Sequence, residues 1–409
     1  MISNIVFYLS LIISLGIGVL YFRDLGDVSQ MVVKVKRDNM LRFIRHEYKL
    51  IGTALAALAV MVFVHLAFDA GPGWLCWTAL ALGLFLIAFP YVWVHVGLRN
   101  QKSNAQFYSI DEAREFVSPT SPVLVIESGG QARAFPDAQI MRPHLAGNDE
   151  GLDGHNVIMT YCAMANLGIG YTPEVEGQAL DLEVMAQHGN NLILRDNRTG
   201  EPIQQIYGFR EADGTRTESG AACPLKPSLA MKPWPTFRMT FRGFRKAYPD
   251  GQVFLNKPSG NPLLFLFDAF TEKLFSAEIG RQHREAAPIM DNMSRHDDRL
   301  ENKTYVWGID IGDDAVCWTD DFVIEQGNIF NAQVGGRPVV IAWHPRYESL
   351  GAWFNDTGAP VTQIDFFGET PAGKLQRVDT LKPGLFWHVW AEFFPHTDIN
   401  RMSKMARAA

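Results

Sequence analysis

Three apolar runs dominate the start of this chain: Ile2 to Phe22, Leu50 to Phe68 and Trp74 to Leu98 contain no Asp, Glu, Lys or Arg. A helix rises 1.5 Å per residue and needs about 20 apolar residues to cross roughly 30 Å of hydrocarbon. Each run is that long, so three membrane-spanning helices are expected within residues 1–102. A cleaved signal peptide fits the first run poorly, because no basic residue precedes it and no small-residue cleavage site follows before Arg23.

Charge sets the expected orientation. Arg23, Lys34, Lys36, Arg37, Arg42, Arg45 and Lys49 separate the first two runs, whereas the link Asp69 to Gly73 has no positive charge. Loops rich in Lys and Arg stay in the cytoplasm. The expected placement is therefore multi-pass in the cell inner membrane, with the large domain cytoplasmic and the lipid bilayer, and other membrane proteins, as partners. Met31, Val32, Val33, Val35, Met40, Leu41, Phe43 and Ile44 are interleaved with the basic residues. Such a segment reads as lying along the headgroups or as a solvated connector. His65 and His95 fall at different depths of a hairpin turning at Gly71 and Gly73, so both read as interfacial or helix-packing residues.

From Ser103 the apolar runs shorten and Gly and Pro become frequent, which predicts many strands, turns and a few short helices in an α+β domain. Ser109 followed by Asp111 and Glu112 predicts a short capped helix. The composition, 47% hydrophobic and 20% charged, excludes a disordered chain. The net charge of −7, with the basic stretch between apolar runs, gives no footprint for nucleic acid. A phosphate loop or dinucleotide fingerprint is missing, and Gly251 and Gly280 read as turn residues.

The text also repeats itself. VLVIESGGQARAFPD from Val123 is echoed by VWGIDIGDDAVCWTD from Val306, and the segment from Gly154 by that from Gly336. Each copy ends with aromatics on one helical face, at Phe241 and Phe244 and at Trp387 and Trp390, which read as core packing. The expected architecture is three transmembrane helices (1–102), a first pseudo-repeat (103–260), a connector (261–304) and a second, shorter pseudo-repeat (305–409), with hairpins turning at Gly129-Gly130 and Gly312-Asp313-Asp314. This pairing matches Tyr161 with Trp343 and Cys162 with His344 at the ends of two buried strands.

Several motifs in order carry a family resemblance: Ala132 to Pro136 (ARAFP), His144 ahead of Asn148-Asp149, Thr160-Tyr161-Cys162, and Asn197-Arg198-Thr199-Gly200 followed by Gln204 and Gln205. From about Phe107 to Thr397 the chain resembles the prokaryotic domain-of-unknown-function family catalogued as 3179. That resemblance implies a shared fold and pocket, with no reaction attached. The second cysteine common in the family three positions after the first is replaced here by Ala165, so a two-thiol site is missing.

Of the four cysteines none forms a C-x-x-C pair, which argues against a zinc finger or a disulfide framework. Cys162, with His344, His144 and His188 as candidate neighbours, offers the thiolate and imidazole donors that copper, zinc or iron accept. Two other readings stay open. Cys162 and His344 could form a nucleophile and base of a thiol enzyme, or Cys162 could be a small buried hydrophobe in a non-catalytic membrane-tethered binding or assembly module.

Overall fold

A computed structural model describes residues 1–218, 220–257, 262–288, 290 and 292–402. The three apolar runs form helices α1 (Ile2–Leu25), α2 (Arg37–Phe68) and α3 (Gly73–Val92), each long and apolar enough to cross a membrane. A π-helical turn, Trp93–Gly97, prolongs α3 just after Pro90, whose missing N–H disturbs the regular ladder. Small residues set the contacts between these helices. A side chain at Gly83 would meet Leu58 at 3.0 Å, and one at Gly18 would meet Leu86 at 3.2 Å.

The basic stretch differs from both sequence expectations. Helix α2 starts already at Arg37, kinks at His46 (φ −120°) and carries much of that stretch as ordered helix. Val35, Met40, Leu41, Phe43 and Ile44 are buried against Met185, Ala186 and Ile193 of the following domain. Arg37 pairs with Glu211, Arg45 lies 3.1 Å from Glu201, and Lys34 donates to the Met293 carbonyl. The segment is a docking arm because its apolar face found a protein partner; Val32 and Val33 remain exposed.

The rest is α+β and rich in strands. Strands β1 (Pro122–Ser128) and β2 (Gln131–Pro136) form a hairpin around Gly129-Gly130, both at positive φ, as a tight two-residue turn requires. A second layer contains β3 (Leu145–Ala146), β4 (Ile158–Cys162) and β5 (Leu167–Thr172). The hairpin β6 (Leu182–His188) and β7 (Asn191–Asp196) follows. Strands β8 (Thr236–Thr240) and β9 (Gln252–Phe254) complete the first sheet in the order β9-β2-β1-β8, with Phe107–Ser109 at its edge.

Beyond it come β10 (Tyr305–Ile311), β11 (Asp314–Trp318), β12 (Ile329–Val334), β13 (Arg337–His344), β14 (Ser349–Phe354), β15 (Lys382–Phe386) and β16 (Asp398–Ile399). Their main sheet runs β15-β10-β11-β16, antiparallel except for the parallel pair β11-β16, and β8-β1-β2-β9 has the same senses. The second hairpin turns on Gly312-Asp313 alone, since Asp314 already pairs with Ile311. Cys162 faces Leu167 across its turn, as His344 faces Ser349. Phe241, Phe244, Trp387 and Trp390 are buried, so these aromatics pack the core.

Within the expected connector lies a 23-residue helix, α4 (Pro262–Arg284), and Gly280 sits inside it rather than at a turn. Its buried side, with Thr271, Phe275, Ile279 and Gln282, packs on the end of α3 and on the main core.

Candidate functional site

Strand β4 is buried along its whole length and ends at Cys162, which is 2% exposed. Strand β3 pairs with it, Leu145 opposite Thr160, and this brings His144 to the same strand end: the Tyr161 N–H donates to the His144 carbonyl at 2.7 Å. His144 holds φ +56°, a left-handed conformation that side-chain-bearing residues adopt at a cost. The tight turn Gly189-Asn190 between β6 and β7 meets this strand end, where the Cys162 thiol donates to the Asn190 carbonyl at 3.5 Å.

Cys162 and His144 line one cavity of about 40 Å³ with Met164, Met185, Met290 and Gln187. Leu98, at the end of the α3 segment, and Phe275 and Ile279 of α4 line it as well. Two of its polar side chains are nine-tenths or more buried and leave polar atoms unpartnered. His144 Nδ1 and both amide atoms of Gln187 have no hydrogen-bond partner among the described residues. Burial lowers the His144 imidazole to about 4, so the ring is neutral and presents a lone pair.

The other two candidate residues lie elsewhere. His188 follows Gln187 on β6, and successive strand residues face opposite ways. Its ring meets the docking arm near Val35, where burial and the charge of Arg37 lower it to about 4. His344 ends β13 edge-on to Trp353 and Phe366, at 5.6 and 5.7 Å between centroids, and is not among the residues lining the cavity. Burial and then Arg377 lower it to about 4. Among the described residues no group of three or more His, Cys, Asp and Glu side chains is placed to hold a metal ion.

Near the cavity, where the apolar helices meet the domain, stands a closed ionic ring that sequence reasoning missed. His95 Nε2 lies 3.0 Å from Glu47 and its Nδ1 2.7 Å from Glu183. Arg195 closes the ring, 2.6 Å from Glu47 and 2.9 Å from Glu183, while the Tyr21 hydroxyl donates to Glu47 at 2.6 Å. A carboxylate only accepts, so an imidazole with both nitrogens on ionised carboxylates donates twice and carries a proton. Two carboxylates, one guanidinium and one imidazolium then sum to zero charge. Burial alone would raise Glu183, but hydrogen bonds from His95 and the charges of His95 and Arg195 hold it at about 2. A signal was present: Glu47 lies three residues ahead of the run that begins at Leu50, and His95 lies three residues before the end of its run at Leu98.

A family model described as "Protein of unknown function (DUF3179)" matches residues 101–397. No curated protein and no solved structure matches the chain.

Proposed function

The chain belongs to the DUF3179 family of proteins of unknown function, and since that membership supplies no reaction we propose that it is a membrane-anchored protein that holds one soft metal ion, copper(I) foremost, in the cavity between Cys162 and His144. The observation that carries this reading is the buried, unpartnered Nδ1 of His144, a residue that lines the same small space as Cys162, Met164, Met185 and Met290. Thiolate, thioether and imidazole donors favour copper(I) over the harder divalent ions, and among the described residues no carboxylate lines the space. A volume near 40 Å³ suits a bare ion rather than a hydrated one. Binding would release the Cys162 proton, because the ligand is the thiolate.

The thiol-enzyme reading gains less support. A nucleophile needs substrate access, and Cys162 is almost fully enclosed with its thiol engaged as a donor. In our reading the domain lies in the cytoplasm, supported by the basic residues that both separate the first two helices and dock on that domain. We also read the two halves as copies of one unit, supported by the shared strand order and senses and by the matching turns after Cys162 and His344.

Titration of the detergent-purified full chain with copper(I) against a chromophoric chelator tests the reading. One equivalent withdrawn from the chelator supports it; a chelator that keeps all its copper contradicts it.

A further inference from the structure

Helix α4 shows a second role. Toward its N-terminal half it exposes Leu264 (45%), Phe265 (49%), Leu266 (72%), Phe270 (61%) and Leu274 (40%), while Asp268, Thr271 and Phe275 face the protein. A water-facing helix that shows five large apolar side chains within three turns lacks its partner.

Its position identifies that partner. Phe275 stacks on Trp93 at the end of α3, with ring centroids 5.0 Å apart and planes 12° apart. Asp268 is clamped by Arg142 at 2.7 Å and Arg99 at 3.0 Å, and Arg142 also donates to the Gly97 carbonyl at 2.9 Å. Leu264 borders the same cleft as His95 and Val96. The helix is thus fixed beside the last turns of the third apolar helix, where Tyr91, Val92 and Val96 are themselves exposed. Its exposed Leu264 and the exposed Val96 at the end of the α3 segment border one cleft.

We propose that α4 is an interfacial helix, its Leu264 to Leu274 side seated at the boundary between headgroups and acyl chains. This rests on the membrane-anchored reading of α1 to α3. A bilayer fits better than a protein partner because the exposed side chains share the level of the α3 terminus and the helix is held there by ion pairs rather than by a hinge. The cavity of Cys162 then lies directly behind the interface, since Phe275 and Ile279 of the same helix line it.

The test uses the full chain in phosphatidylcholine vesicles, with Cys223→Ser to remove the half-buried native thiol. An environment-sensitive fluorophore is attached to Phe85→Cys, in the middle of α3, or to Phe270→Cys, on α4. Lipids brominated at shallow and at deep positions of their chains are then each compared with unbrominated lipid. We expect both labels to lose fluorescence, Phe270 most strongly with the shallowest bromines and Phe85 with the deepest. Loss at Phe85 without loss at Phe270, whether the latter is in water or under a second copy, overturns the inference and leaves the spans standing. Loss at neither site overturns both.

Discussion

The imidazole of His95, at the end of the third apolar helix, and the carboxylate of Glu183, on strand β6 of the domain, stand 2.7 Å apart. The other nitrogen of the same ring reaches Glu47 on the second helix. One side chain therefore ties two of the apolar helices to the domain, and Arg195 completes the circuit. Removing one member leaves a buried charge uncompensated, which costs about 3–5 kcal/mol. His95→Ala is expected to lower the unfolding midpoint of the detergent-solubilised protein markedly, with partial recovery on adding Glu183→Gln. An unchanged midpoint in His95→Ala would show that the ring contributes nothing.

Acid should act through the same carboxylate. Glu183 sits at about 2 in the folded protein against the usual carboxylate value near 4.3 when unfolded. A depressed carboxylate contributes stability that is full above the unfolded value and is lost as pH falls from there toward the folded one. The unfolding midpoint is expected to drop between about pH 4.3 and pH 2. In Glu183→Gln that drop should be shallower.

The docking arm packs on the domain at one end of the helices, so the membrane-anchored reading puts both on one side of the bilayer. A reporter active only outside the cytoplasm, fused after Ala409, is expected to stay silent. The same reporter placed in the link Asp69 to Gly73 should be active. The reverse pattern would put the domain outside.

Cys76, Cys162 and Cys317 are buried, Cys317 with its thiol pushed up chiefly by that burial, while Cys223 is half-buried. A thiol reagent is expected to modify one cysteine rapidly in the native protein, and Cys223→Ser should abolish that phase. Rapid modification of Cys162 instead would revive the thiol-enzyme reading.

Gly308 on β10 tests the packing of the second half. A Cβ there would fall 2.2 Å from the ring of Trp390, which has no exposed surface. Gly308→Ala is expected to cost about 1–3 kcal/mol or more through overpacking, read as a lowered unfolding midpoint.

What was legible in the sequence was local. The three apolar helices follow from run length, the hairpin at Gly129-Gly130 from glycines that tolerate positive φ, and the aromatic stripes from helical spacing. Contacts made across the chain left weaker traces. The arm Val35 to Ile44 read as a headgroup segment or a solvated connector because its partner, β6 and β7, lies about 150 residues further along the chain. Helix α4 was hidden because its apolar residues lie on two sides, one for the core and one exposed. Cys162 and His344 each pair across a turn with the residue five positions on, yet a like place in a hairpin does not decide which side chains share a space. That depended on β3 carrying His144 to the end of β4.

The central claim is that Cys162 and His144, and not His344, hold the ion. Its most direct test is the copper content of the full chain after anaerobic loading with copper(I) and desalting, compared across the wild type, Cys162→Ser, His144→Ala and His344→Ala. The account predicts one copper per chain in the wild type and in His344→Ala, and loss of it in the other two variants. A wild type that retains no copper, or a His144→Ala variant that retains as much as the wild type, would contradict it.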